Sequence, residues 1–170
     1  LTAAFVPIFK REAEKRGLAE AAKLARAVVT MMLLMLGSLL VVALAGLWLW
    51  AVKLQIFSPG GSAYRLRMTF SLVVVLLPYM LAICGAAFGM GVLNALGRFK
   101  ASSFMPTLLN LIWIGALVVL LFFPHVTPAR RVLLGASAIL AGGFLQMFFM
   151  FYRMSKVGVR PWPLFHGWRA

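Results

Sequence analysis

The chain has 170 residues, of which 64% are hydrophobic and 12% charged, a balance that a water-soluble domain of this size cannot carry without exposing large apolar patches. Lipid is therefore the expected solvent for most of it. The formal net charge is +14, from 17 Lys and Arg against three acids, Glu12, Glu14 and Glu20. In a soluble protein that imbalance suggests nucleic acid, but here the basic residues sit between long apolar runs and read as topology signals and headgroup contacts. Cys84 is the single cysteine, so no disulfide forms within the chain. His125 and His166 lack the spaced partners that a metal needs, so neither a metal site nor a cofactor is expected.

Residues 1 to 9, LTAAFVPIF, are too short to span a bilayer and end at the pair Lys10, Arg11. They read as the last turns of a transmembrane helix, and Leu1 in the first position reads as a start internal to a longer protein. Residues 10 to 26, KREAEKRGLAEAAKLAR, alternate acids and bases at helical spacing and read as a solvated, basic helical loop, with Glu12 in reach of Lys15 or Arg16 and Glu20 in reach of Lys23.

Residues 27 to 52 contain no charge and as a helix extend about 39 Å, enough to cross a ~30 Å hydrocarbon core with tilt. Trp48 and Trp50 at the far end suit the aromatic belt. The next apolar run, 68 to 97, contains Pro78, which removes a backbone donor and predicts a kink. A third span, 104 to 123, follows Ser102 and Ser103 as prospective N-caps and carries Pro106 in its first turn. A fourth, 132 to 152, opens after Arg130 and Arg131 and closes at Arg153. The tail, 153 to 170, mixes Trp162, Phe165 and Trp168 with basic residues, a composition suited to the membrane interface.

Orientation follows from the bases. Lys10, Arg11, Lys15, Arg16, Lys23, Arg26, Arg98, Lys100, Arg153, Lys156, Arg160 and Arg169 fall on one side, against Lys53, Arg65, Arg67, Arg130 and Arg131 on the other. The positive-inside rule then places 10 to 26, 98 to 103 and 153 to 170 in the cytoplasm.

None of the four spans contains Asp, Glu, Lys, Arg or His, so acid-base or metal-assisted catalysis has no groups to work with inside them. The chain is not expected to be an enzyme. Asn94, Asn110 and Gln146 are the largest polar side chains within the spans, each within about two turns of the cytoplasmic end by helical rise. They admit two readings: amide hydrogen bonds that fix helix packing, or the rim of a substrate cavity at the cytoplasmic mouth, with Arg98 and Lys100 beside Asn94 to meet phosphate. Gly85 and Gly89, four apart, mark a face where another helix approaches closely, and Gly142 and Gly143 do the same or supply a flexible point. Gly97, nearer the aqueous edge, is expected to tolerate Ala.

Four strings, LTAAFVPIF at 1 to 9, LPYMLAICGAAFGMGVLNALGRF at 77 to 99, MPTLLNLIWIG at 105 to 115 and GGFLQ at 142 to 146, together resemble MurJ-type (MviN) lipid II flippases of the multidrug/oligosaccharidyl-lipid/polysaccharide exporter superfamily. Their order is that of the family's second to sixth helices. The resemblance implies an all-α, polytopic membrane bundle forming part of the N-terminal lobe of a two-lobe transporter in the bacterial inner membrane. It implies export of an undecaprenyl-linked peptidoglycan precursor by alternating access, with membrane lipids and the remaining helices of the same protein as the partners and no nucleic acid. The family's headgroup-binding arginines lie outside these strings, so the resemblance assigns no substrate residue here. Ala101, Ser102 and Ser103 stand where relatives often place a proline. The other readings are a different exporter of the superfamily, such as a polysaccharide-lipid flippase or a drug/cation antiporter, and a membrane scaffold or anchor without transport.

Overall fold

The structure, a computed structural model, describes residues 2 to 54 and 64 to 161. Every regular element in that range is a helix: α1 (Thr2–Arg16), α2 (Leu18–Lys53), α3 (Tyr64–Leu76), α4 (Tyr79–Ala95), α5 (Phe99–Ser103), α6 (Met105–Leu121) and α7 (Pro128–Lys156). Among the described residues, four stretches have the length and apolar character to cross a membrane: α2, α3 with α4, α5 with α6, and α7.

The stretch 10 to 26 is helical on both sides of a one-residue turn. Its first half completes α1 and its second half opens α2, with a single residue between them. On the α1 side Glu12 meets Arg16 at 3.6 Å and Lys10 meets Glu14 at 4.0 Å; on the α2 side Glu20 meets Lys23 at 2.6 Å. These exposed pairs contribute little individually, but with the alanines around them they keep both strands of sequence helical. Gly17 breaks the run by adopting φ 87°, ψ 167°, backbone geometry that is essentially restricted to glycine. The 36-residue α2 is therefore about 54 Å long, and the uncharged segment from Ala27 onward is only its inner part.

The run containing Pro78 is interrupted at that residue. α3 ends at Leu76 and α4 begins at Tyr79, and across the junction the bonds shorten to Met80 N–H on Leu77 O and Leu81 N–H on Pro78 O. α3 also starts one turn before the apolar run, taking in Arg65 and Arg67. α4 closes at Gly97: the Gly97 N–H donates to Asn94 O and the Arg98 N–H to Leu93 O at 2.8 Å, the six-to-one bond of a helix cap that needs a left-handed residue. Gly97 supplies it with φ 70°. The expected tolerance of Gly97 for Ala is thus corrected. A methyl group there meets no atom within 4 Å, yet the backbone costs about 1 kcal/mol for a residue with a Cβ. Gly97→Ala is expected to lower the apparent melting temperature of the intact protein by a few degrees, read by fluorescence-detected size exclusion after heating.

Ser102 and Ser103 do not cap α6. Both hydroxyls turn back onto Phe99 O within the short α5, and Phe104 occupies the cap position of α6 with no side-chain bond. At the opposite end of α6, Arg131 closes the turn into α7, donating from Nε to Val126 O at 3.0 Å and from Nη2 to Pro124 O at 3.0 Å and Phe123 O at 3.3 Å. Pro128 sits in the first turn of α7, so this helix begins four residues before its apolar run.

α4 and α7 share the most extensive contact in the bundle, and α7 also packs on α3 and α6 while α1 and α2 pack on the far side of α4. The glycines lie along this seam. A Cβ at Gly85 would stand 2.6 Å from Met147 Sδ, at Gly89 2.7 Å from Met150 Cβ, and at Gly143 2.6 Å from the Tyr79 ring. Gly142 faces Leu109 of α6, at 3.0 Å by the same measure. All four lie in regular helix, where small residues let backbones approach closely.

The buried cluster occupies one end of the bundle. Phe5 and Phe9 of α1 stack beside Phe88 of α4, with Phe5 and Phe88 centroids 4.9 Å apart, and Val29, Val92, Met150 and Met154 fill around them. Away from this end, α2 from Met31 to Val52 and α6 from Leu111 to Leu121 expose large apolar side chains, as membrane helices do toward lipid or toward further helices.

Candidate functional site at the basic end of the bundle

The connectivity gathers the α1–α2 turn, the end of α4, α5, the start of α6 and the end of α7 at one end of the bundle. Of the described residues, Lys10, Arg11, Lys15, Arg16, Lys23, Arg26, Arg98, Lys100, Arg153, Lys156 and Arg160 belong to these segments. The other end holds Lys53, Arg65, Arg67, Arg130 and Arg131. Arg169 and the aromatic tail from Trp162 onward lie outside the described residues, as does the connection from 55 to 63.

Two of the three span amides converge on the corner between α5 and α6. Gln146 is buried on α7 at 6% exposure, and its Nε2 donates to Met105 O at the first residue of α6. From the other side, Asn94 at the end of α4 accepts from the Ser102 hydroxyl at 2.6 Å. A buried amide bond of this kind contributes about 1 kcal/mol between membrane helices. The corner is thereby clamped from α4 and from α7 at once.

Asn110 is not part of that arrangement. It lies exposed on α6, and neither Asn94 nor Gln146 bonds to it. Of the three span amides, two therefore clamp the α5–α6 corner and one faces outward. Gln146 is also further from its helix end than the apolar run suggests, because α7 continues to Lys156, about 15 Å beyond it.

Arg98 and Lys100 are both exposed. Arg98 stands between α4 and α5 and Lys100 lies within α5, so the amide clamp fixes the short segment that carries them. Two cations on a held corner can meet phosphate oxygens by charge-assisted hydrogen bonds without reorganising the backbone.

Arg26 is a residue whose placement the sequence did not reveal beyond its topological charge. It follows the buried Ala25 and precedes the buried Val29 by three residues on α2, so its stem lies along the packed face. Its Nε is shielded from solvent and has no hydrogen-bond partner among the described residues. The sequence signal available was its position beside AxxxV on the inner face of an otherwise amphipathic turn.

Comparison with known proteins gives a consistent result. A family model described as lipid II flippase MurJ matches residues 1–170. The chain is 28% identical over 162 residues to a probable lipid II flippase MurJ of Rhizobium tropici, covering 92% of this chain and 29% of that protein. It is 30% identical over 159 residues to a lipid II flippase MurJ of Burkholderia cenocepacia, covering 93% and 30%. Against a probable lipid II flippase MurJ of Haemophilus influenzae it is 31% identical over 141 residues, covering 83% and 26%. The chain thus spans less than a third of the length of these relatives.

Proposed function

The chain belongs to the MurJ lipid II flippase family, and from that membership we propose that the protein containing it moves an undecaprenyl-linked peptidoglycan precursor from the inner to the outer leaflet of the bacterial inner membrane. The family match over the whole chain carries this reading. The physical character of the helices supports it, since their long uncharged runs offer apolar walls for a lipid-linked substrate. The work is conformational: two lobes rock about a central site in alternating access, and this chain contributes helices to the first lobe.

In this reading the basic end faces the cytoplasm, in keeping with the distribution of Lys and Arg. Arg98 and Lys100, with Asn110 on the adjoining helix, stand at the cytoplasmic mouth, where they attract the pyrophosphate-bearing headgroup of the precursor. Asn94 and Gln146 act as positioning residues through the α5–α6 corner.

The test is genetic. A cell depleted of its own flippase is expected to survive with the full-length gene and to lyse with residues 1 to 170 alone, because one part of one lobe cannot alternate. Rescue by the short chain, or failure of a well-expressed full-length protein, overturns the reading; the second outcome points to another exporter of the superfamily.

A further inference from the structure

Between α1 and α2 lies an open groove of about 440 Å³. Its charged lining is Glu12, Arg16, Glu20 and Lys23, and its apolar lining is Ile8, Leu24 and Ala27. The two kinds of residue are graded along the hairpin. Arg16 and Glu20 lie next to the Gly17 turn, Glu12 and Lys23 come next, and Ile8, Leu24 and Ala27 lie furthest in, where the uncharged stretch of α2 begins. A groove of this kind straddles the boundary between headgroups and hydrocarbon.

Its charge balance is unlike that of the rest of the chain. The protein has 17 basic residues and three acidic ones, yet two of the three acids line this groove, giving it two carboxylates and two cations. Those charges are loosely committed to one another. Glu12 and Arg16 are 3.6 Å apart with 33% and 71% of their side chains exposed, and Glu20 and Lys23, though 2.6 Å apart, are 46% and 67% exposed. Exposed pairs of this sort hold together by at most about 1 kcal/mol, so a ligand presenting both signs can replace each partner.

We propose that this groove binds a zwitterionic phospholipid with a primary ammonium headgroup, of the phosphatidylethanolamine type. The lipid phosphate lies against Arg16 and Lys23, the ammonium donates to the carboxylates of Glu12 and Glu20, and an acyl chain runs along Ile8, Leu24 and Ala27. An anionic headgroup satisfies the cations and is repelled by the carboxylates. A quaternary ammonium has no N–H to donate to them. The site stands whether or not the intact protein transports a peptidoglycan precursor, since it depends only on the hairpin lying at a membrane surface.

The test is site-specific crosslinking. The intact protein carrying Ala27→p-benzoylphenylalanine is placed in vesicles of equal parts phosphatidylethanolamine, phosphatidylcholine and phosphatidylglycerol with identical acyl chains, irradiated, and its lipid adducts identified by mass spectrometry on the monodisperse fraction. Phosphatidylethanolamine is expected to be enriched about tenfold over phosphatidylcholine, the scale of one or two charge-assisted hydrogen bonds at an exposed site. With Glu12→Gln and Glu20→Gln added, that enrichment disappears and phosphatidylglycerol becomes the main adduct. The same photoreactive residue at Met35, on the outer face of α2, returns the bulk lipid ratio. Bulk ratios at Ala27, or predominance of phosphatidylglycerol or phosphatidylcholine there in the unmodified groove, overturn the proposal without reference to any folding defect of the variants.

Discussion

Gly89→Leu is expected to remove the intact protein from the folded, membrane-extracted fraction. Gly89 lies on α4 against α7, and a Cβ placed on it stands 2.7 Å from the Met150 Cβ and 3.4 Å from the Met154 Sδ. The Met150 Cβ is fixed to the α7 backbone and the residue is fully buried, so no change of rotamer clears the overlap. The two helices must move apart along the seam that holds the rest of the bundle. Gly85 provides the internal contrast. There the nearest atoms are the Met147 Sδ at 2.6 Å and Cγ at 2.7 Å, the outer part of a flexible side chain that can swing aside. Overpacking of a close seam costs about 1–3 kcal/mol for small additions and more for large ones. The expected order of damage is therefore Gly89→Leu, then Gly89→Ala, then Gly85→Ala, measured as abundance and heat resistance by fluorescence-detected size exclusion. A Gly89→Leu protein as abundant and heat-resistant as its parent would leave these small residues without a packing role.

Cysteine labelling in intact cells is expected to divide the chain cleanly by side. On a Cys84→Ala background, an impermeant maleimide should reach Thr127→Cys in the α6–α7 turn and Ser62→Cys in the preceding connection. It should not reach Lys15→Cys in α1 or Lys156→Cys at the end of α7. The basis is the excess of Lys and Arg at the α1–α2, α4–α5 and α7 ends. Of the bases at the other end, Arg131 is held by the carbonyls of Phe123, Pro124 and Val126, so part of the charge there serves to close a turn. Labelling of Lys15→Cys or Lys156→Cys from outside reverses the orientation and moves Arg98 and Lys100 to the wrong leaflet for meeting substrate.

The spans themselves were legible because an uncharged run of membrane length has few alternatives to a helix. What the runs concealed was the extent of the helices. Charged residues at helical spacing continue α1 and α2 well past the apolar boundary, and a lone glycine within such a pattern does not announce a chain reversal. Only its φ and ψ reveal that Gly17 is one. The seam on α7 was partly readable: Gly142, Gln146, Met150 and Met154 repeat every four residues, and all are buried. A small residue followed four later by an amide marks an inward amide, which is where Gln146 lies. Asn110 has no such company, since Thr107, Leu111 and Ile114 around it are exposed, and amide identity alone could not separate the two. The bond of Asn94 to Ser102 depends on the fold of α5, a five-residue helix too short to leave a periodic signal.

Transport of the precursor itself can be followed directly. The full-length protein is reconstituted in vesicles with a fluorescent undecaprenyl-pyrophosphate-linked precursor confined at the start to one leaflet. Its appearance in the other leaflet is read by a membrane-impermeant quencher. Movement is expected to be fast relative to protein-free vesicles and absent from vesicles containing residues 1 to 170 alone. Transfer no faster than in protein-free vesicles, by a full-length protein shown to be folded and inserted, would contradict the proposed function.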